Sequence, residues 1–180
     1  FLSALQPQIK TEKGKEILVK LENCTDGINE LLSAILDISK LGAKTLTPKK
    51  EPCYLNDILD SLKQQFIDQA SEKGLKLTFQ NTEKHIKSDA ILLQRILSNL
   101  ISNAITYTHE GEINISLTEN EENISIHVSD TGTGLEDIEQ TKVFEEFYQL
   151  DNPERDKNKG LGLGLSIVSK LCLLMDIPIA

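Results

Sequence analysis

The sequence predicts an α+β chain in two parts. Residues 1–47 form a helical hairpin that makes a four-helix bundle with a second copy of itself, and residues 48–180 form an α/β sandwich whose mixed sheet carries helices on one face. Three patterns lead there. Ile17, Leu21, Cys24, Ile28, Leu31, Ile35 and Ile38 step by four and three without a break, which is the a and d seam of helices that meet along their length. Two-residue alternation recurs at Leu75, Leu77, Phe79, at Ile113, Ile115, Leu117 and at Ile124, Ile126, Val128, as in half-buried strands. Apolar residues recur with helical period at Leu59, Leu62, Phe66, Ala70 and at Leu93, Ile96, Leu97, Leu100, Ala104.

Taken in order, Leu2, Leu5 and Ile9 read as the end of a helix, with a turn around Gly14. The seam from Ile17 follows, with Cys24 as a small core residue on it. Two helices of one chain offer too little surface to bury such a seam, so a second chain completes the bundle; the alternative is a helical pair packed on its own globular part. After Gly42 the stretch LTPKKEP, with two prolines and three charges, reads as a linker or domain entry rather than a packed element. Asn56 is placed to cap the next helix and Gly74 to close it. A strand at 75–79, a helix over 88–108 and two strands joined by ENEEN into an antiparallel hairpin complete the sandwich. A start at Phe1 rather than Met, and an end at DIPIA where another strand would begin, lead to the expectation of an excised piece of a longer protein, truncated in both parts.

Candidate chemistry concentrates between Asp130 and Val168. Asp130 ends the third alternating run on the parity of Ile124, Ile126 and Val128, so its carboxylate points inward and needs a donor; the exocyclic amine of adenine is one. Gly132 and Gly134 then let the backbone turn close to a ligand, although an Asp that caps a Gly-rich turn explains DTGTG in isolation equally well. Gly160, Gly162 and Gly164 alternate with Leu161, Leu163 and Leu165 ahead of the helical run SIVSKLCLLM. Glycines there cost ~1 kcal/mol each as helix formers. Bare N–H groups at a helix start favour phosphate. Between the clusters, Asp151 to Lys159 contains no aliphatic side chain, which reads as a mobile flap between two fixed walls. On the helix upstream, Arg95, Asn99, Asn103 and Thr106 form a polar stripe opposite the apolar one. Such a stripe is ordinarily a solvated face. Beside phosphate-binding glycines, however, an Asn amide oxygen is a good ligand for Mg²⁺, which borrows its other ligands from phosphates and water.

In this order and spacing, NLISNAITYT, SDTGTGL, VFEEF and KGLGLGLSIV resemble the N, G1, F and G2 boxes of sensor histidine kinases, a match covering Ile91 to Val168. The resemblance implies a bacterial two-component kinase that binds ATP with Mg²⁺ and moves the γ-phosphoryl group to a histidine, for relay to an aspartate of a response regulator receiver domain. It implies Asn103 as the Mg²⁺ ligand supported by Asn99, both counted as catalytic, and Asp130 on adenine beside Gly132 and Gly134. It places Tyr107, Phe144 and Phe147 next to the nucleotide; the three-residue spacing of the two phenylalanines puts them on one face of a short helix, for which plain core is the alternative reading. Arg155, Lys159, Gly160, Leu161, Gly162, Leu163, Gly164 and Leu165 are implied around the phosphates. Where the related gyrases and heat-shock chaperones hold a water-activating Glu, this chain has Asn99, whose amide lacks the basicity for that work. The alternatives are a catalytically silent nucleotide-sensing dimer and a slow hydrolytic ATPase. One departure from the family is Thr106, where Lys or Arg is common, leaving Arg155, Lys157 and Lys159 of the flap as candidates to replace a phosphate contact.

Composition narrows the partners. A net charge of −9 and a pI near 4.9 disfavour nucleic acid. Cys24, Cys53 and Cys172 lack metal-type spacing, which fits a reducing cytoplasm. No apolar run reaches the ~20 residues that span a bilayer, so no direct membrane contact is expected from these residues, although a parent protein could be membrane-anchored. His85, His109 and His127 all fall outside the hairpin, as surface residues, and the expected phosphoacceptor is not among them.

Overall fold

The computed structural model describes residues 46–120, 123–136, 139–149 and 162–179, together with Thr11, Lys13, Gly14, Lys15, Ile17, Leu18, Leu21 and Thr25 of the first part. Most of the hairpin seam (Cys24, Ile28, Leu31, Ile35, Ile38) lies outside the described residues, as do the flap residues Arg155, Lys157, Lys159, Gly160 and Leu161. Of the seam residues described, Ile17 and Leu21 are half exposed in the single chain, whereas Leu18, off the seam, is buried.

The described elements run β1 (Glu51–Tyr54), α1 (Leu55–Glu72), β2 (Lys76–Phe79), β3 (His85–Ser88), α2 (Ala90–Tyr107), β4 (Glu112–Glu119), β5 (Ile124–Asp130), a 3₁₀ turn at Lys142–Phe144 and α3 (Gly164–Met175). The main sheet has the order β2-β4-β5, with β2 parallel to β4 and β4 antiparallel to β5, so it is mixed. Its register aligns the apolar parities: Leu77 lies opposite Ile113, Phe79 opposite Ile115, Ile115 opposite Val128 and Leu117 opposite Ile126. Ile113 and Ile115 are fully buried on that side. The other parity is polar, with Thr78 bonded to Asn114 (2.8 Å) and Thr118 to His127 (2.7 Å). One face can therefore exclude water and the other cannot. On the apolar face α1 packs against β2, and α2 against β4, β5 and both other helices. One core runs from Leu55 to Met175 through Ile101, Ile105, Val168 and Leu171. Among the described residues no helix is long and apolar enough to cross a membrane.

Three local expectations are corrected. The stretch read as a linker ends in Glu51 and Pro52, the first two residues of β1, which pairs antiparallel with β3 (Cys53 opposite Ile86) in a separate two-stranded ribbon. Pro52 is tolerated because such a ribbon leaves backbone groups unpaired on its outer side. At four residues each, these strands are too short to show alternation. Asn56 is not a cap, since α1 begins at Leu55 with Tyr54 as N-cap and no side-chain cap bond. The Leu55 N–H is satisfied instead by the Lys84 carbonyl (3.0 Å), and the Asn56 amide accepts from Thr82 N (3.2 Å) and donates to Asp60 (2.7 Å). Ser88 belongs to β3, and Asp89 caps α2, its Oδ1 accepting from Leu92 N at 3.1 Å. Leu100 flanks the buried stripe of α2, which centres on Ile101 and Ala104. Gly74 does close α1: at φ +71° it lets Leu75 N reach the Ala70 carbonyl (2.9 Å).

Candidate functional site

α2 supplies one wall of an open cleft. Its polar stripe, Arg95, Asn99, Asn103 and Thr106, is half-buried, because the helix packs on the sheet with one side and leaves this side to the cleft. Asn99 is fixed by a bond from its Nδ2 to the Arg95 carbonyl one turn back (2.9 Å), so its Oδ1 faces away from the helix. Thr106 makes the analogous bond from its hydroxyl to the Ser102 carbonyl (2.8 Å). Burial pushes the Tyr107 phenol above its ordinary range and draws the Arg95 guanidinium down.

The opposite wall begins where β5 ends. Asp130 keeps the inward parity, opposite Ile113, but it stands at the end of the strand and is exposed rather than sealed in the core. Its Oδ1 accepts from Gly132 N (2.8 Å) and takes a long contact from the buried Thr108 hydroxyl (3.5 Å). One carboxylate oxygen is thus engaged in shaping the turn, while Oδ2 has no protein partner among the described residues. Thr131 pins the same turn from the other side: its hydroxyl accepts from Glu112 N (3.1 Å) and donates to the Glu110 carbonyl (3.1 Å).

The third component is the start of α3. Gly164 is its first residue, and Leu163, in the N-cap position, provides no side-chain cap. The first N–H groups of this helix are therefore unsatisfied from within it. A Cβ on Gly164 would lie 3.2 Å from Asn99 Oδ1 and 3.4 Å from Asn103 Oδ1, so the missing side chain is what lets the helix start approach both asparagines. Gly162, at φ +68°, has no room either: a Cβ there would stand 2.6 Å from the Tyr148 carbonyl oxygen. The Gly162 carbonyl accepts from Phe147 N (2.9 Å), and Glu146 pairs with Lys170 of α3, so the VFEEF segment is held against the second glycine cluster at two points.

The cleft brings together Asn99, Asn103, Thr106, Tyr107, Asp130, Gly134, Phe144, Gly162, Leu163, Gly164 and Leu165. Gly132 lies behind Asp130 and does not line it. Phe147 is a correction: the 3₁₀ turn ends at Phe144, and Phe147, at φ +63° and 65% exposed, shares no helical face with it. The three-residue spacing suggests a helix only if the backbone stays helical, and the bond to Gly162 pulls Phe147 out of it. A separate small hollow, at Tyr54, Asn56, Asn81, Thr82 and Glu83, contains none of the sequence-predicted residues. The sequence reading passed over Thr108 and Tyr148; a polar residue just past the end of an apolar helix was the one available signal for Thr108.

The donor set fits a Mg-nucleotide. Amide oxygens beside a bare helix N-terminus offer Mg²⁺ one protein ligand and leave the rest to phosphate and water. His85, His109 and His127 are all exposed, as expected; the lining of the wide cleft extends to His85 and His127, whereas His109 is outside it.

The family described as histidine kinase-, DNA gyrase B- and HSP90-like ATPase matches residues 88–179. Sensor protein SrrB of Staphylococcus aureus strain N315 is 34% identical over 155 residues, covering 85% of this chain and 27% of SrrB, and SrrB of strain COL aligns to the same extent. The chain thus spans about a quarter of the length of these curated relatives. Among solved structures, full-length ShkA in complex with AMPPNP is similar with a TM-score of 0.75 at 25% identity, over 96% of this chain and 36% of ShkA. The Acinetobacter baumannii histidine kinase AdeS shares the fold, with a TM-score of 0.72 at 20% identity, over 92% of this chain and 75% of AdeS. With just over half of its residues matched, the chain belongs to the histidine kinase-, DNA gyrase B- and HSP90-like ATPase family.

Proposed function

We propose that this cleft binds ATP with Mg²⁺ and that the chain is the catalytic part of a histidine kinase, transferring the γ-phosphoryl group to a histidine for relay to a response regulator aspartate. The observation that carries this reading is the meeting of Asn99 and Asn103 with the bare start of α3 at Gly164. Asp130 accepts from the adenine amine through Oδ2, Asn103 holds the cation with Asn99 beside it, and the N–H groups of Gly164 and Leu165 receive phosphate. Bound Mg²⁺ would neutralise charge on the phosphates. Tyr107 and Phe144 border the nucleotide, Phe147 being outside the cleft lining, and Arg155, Lys159, Gly160 and Leu161 complete the phosphate side. That ShkA was solved with AMPPNP supports a nucleotide here. Asn99 favours kinase over hydrolase, because its amide is held by a backbone carbonyl and has no basicity with which to activate water.

These residues act, on this reading, in the cytoplasm as a homodimer through the helical hairpin of residues 1–47, with a receiver domain as acceptor partner, whether or not the parent protein is membrane-anchored. A second reading, a catalytically silent nucleotide sensor, is favoured by one observation: the Thr106 hydroxyl is committed to Ser102, so this position gives the phosphates neither a cation nor a free donor. Calorimetry with ATP, with and without Mg²⁺, tests the common core of both readings. Binding that strengthens with Mg²⁺ is expected, and no binding in either condition rejects both.

A further inference from the structure

The last four carbonyls of a helix have no partner within it, and their partners show what holds the helix end in place. At the C-terminus of α2 the Ala104 carbonyl accepts from Thr108 N at 3.0 Å. The Ile105 and Thr106 carbonyls accept from one ammonium, Lys73 Nζ, at 2.8 and 3.3 Å. The Tyr107 carbonyl abuts Gly132, where a Cβ would come within 2.7 Å of it. Lys73 is not part of α2: it is the C-cap residue of α1, more than thirty positions earlier. α2 carries no basic residue in its own last turn. Its partial negative charge therefore meets its compensating cation from a neighbouring helix.

That end of α2 is one side of the cradle around Asp130. Thr108, the C-cap of α2, is fully buried and directs its hydroxyl at Asp130 Oδ1. The same oxygen accepts from Gly132 N, which packs under the Tyr107 carbonyl. A carboxylate placed at a helix C-terminus is repelled by the helix dipole, and a cation on the terminal carbonyls offsets that repulsion. We infer that Lys73 is a positioning residue for the nucleotide site: by anchoring and neutralising the end of α2 it holds Thr108 and the 130–132 turn in register, and so aims Asp130 at the base. The inference rests on the nucleotide reading proposed above and adds a residue outside every motif that led to it.

Because Lys73 acts at the adenine end, its loss weakens adenosine, ADP and ATP by a common factor. A cation that contacted phosphate would instead matter more with each phosphate added. The test is an NMR titration of the 180-residue chain, in wild-type, Lys73→Met and Lys73→Arg forms, with adenosine, ADP and Mg-ATP. Lys73→Met is expected to weaken all three by about fivefold to tenfold, the scale of one charge-assisted bond to a helix end. Lys73→Arg should recover most of that loss, since it keeps the charge. In the free protein, Lys73→Met should shift the amides of Thr108 and Gly132 and leave those of Gly164 and Leu165 in place. Unchanged affinities overturn the inference, as does a loss that grows with phosphate count or one that arginine does not recover. If wild-type protein binds none of the three, the functional reading fails by itself; the Lys73 linkage is then judged on the Thr108 and Gly132 amides, and their indifference to Lys73→Met overturns it.

Discussion

Gly164 lies so close to Asn99 that a single methyl group separates contact from crowding: a Cβ on the glycine would stand 3.2 Å from Asn99 Oδ1. Asn99 cannot easily swing aside, because its Nδ2 is bonded to the Arg95 carbonyl. Gly164 is equally fixed, at the start of a helix whose Ile167 N bonds back to Leu163. Gly164→Ala therefore strains the site. Alanine is the better helix former by up to ~1 kcal/mol, but overpacking against two asparagines costs ~1 to 3 kcal/mol, so the melting temperature should fall. Relief of that strain displaces the asparagines from the helix start, so Mg-ATP affinity should fall about fivefold or more. Affinity equal to wild type in calorimetry would show that the asparagines are not where the Mg-nucleotide sits.

Asp130→Asn tests the base. The amide keeps the shape, but it can turn an N–H toward the adenine amine, and a mismatched donor costs ~1 to 3 kcal/mol. ATP affinity should drop about tenfold or more on that scale. The turn should survive, because Oδ1 as a neutral amide oxygen can still accept from Gly132 N. A folded Asp130→Asn protein with unchanged ATP affinity would remove the adenine role.

Much of this site was legible in the chain because its parts obey local rules. Parity along β5 placed Asp130 on the side of Val128, and the glycine cost at a helix start marked Gly162 and Gly164. What the sequence could not show were contacts between distant segments. Whether Phe147 continues a helix depends on the bond its N–H donates to the Gly162 carbonyl, fifteen residues on, and its spacing from Phe144 carries no trace of that. The burial of Asp130 was overestimated for a similar reason: parity gives the face but not the distance to the strand end, where solvent returns. β1 and β3 were missed because four-residue strands, one with a proline, carry too little alternation to register.

The hairpin leads to a prediction that rests on the heptad seam alone. Ile28 lies in its middle, among residues outside those the structure describes. Ile28→Glu would bury an unpaired carboxylate in a four-helix bundle, at a cost of several kcal/mol. Light scattering should then report a dimer for the wild-type chain and a monomer for Ile28→Glu, with ATP binding intact in both. A wild-type chain that stays monomeric at high concentration removes the bundle.

The last prediction concerns what these 180 residues do with ATP once it is bound. In-line phosphoryl transfer depends chiefly on holding the acceptor against the γ-phosphate. The chain contains three histidines, and the first 84 residues, where a bundle helix would present an acceptor, contain none. His85 sits on β3 with its ring against Tyr54, 4.9 Å between centroids, and His127 is bonded to Thr118 on the polar face of the sheet. His109 follows α2 in the turn that Thr131 pins. The cleft lining reaches His85 and His127 but not His109, and none of the three stands on a bundle helix that would hold an acceptor in line with the γ-phosphate. Incubated with ATP labelled at the γ-phosphate, the chain should bind nucleotide yet acquire no acid-labile phosphate. It should also release inorganic phosphate slowly, since Asn99 is no base. Stoichiometric phosphohistidine on His85, His109 or His127 would overturn the expectation that the acceptor is not among them, and rapid phosphate release would move the chain to the hydrolytic branch of its family.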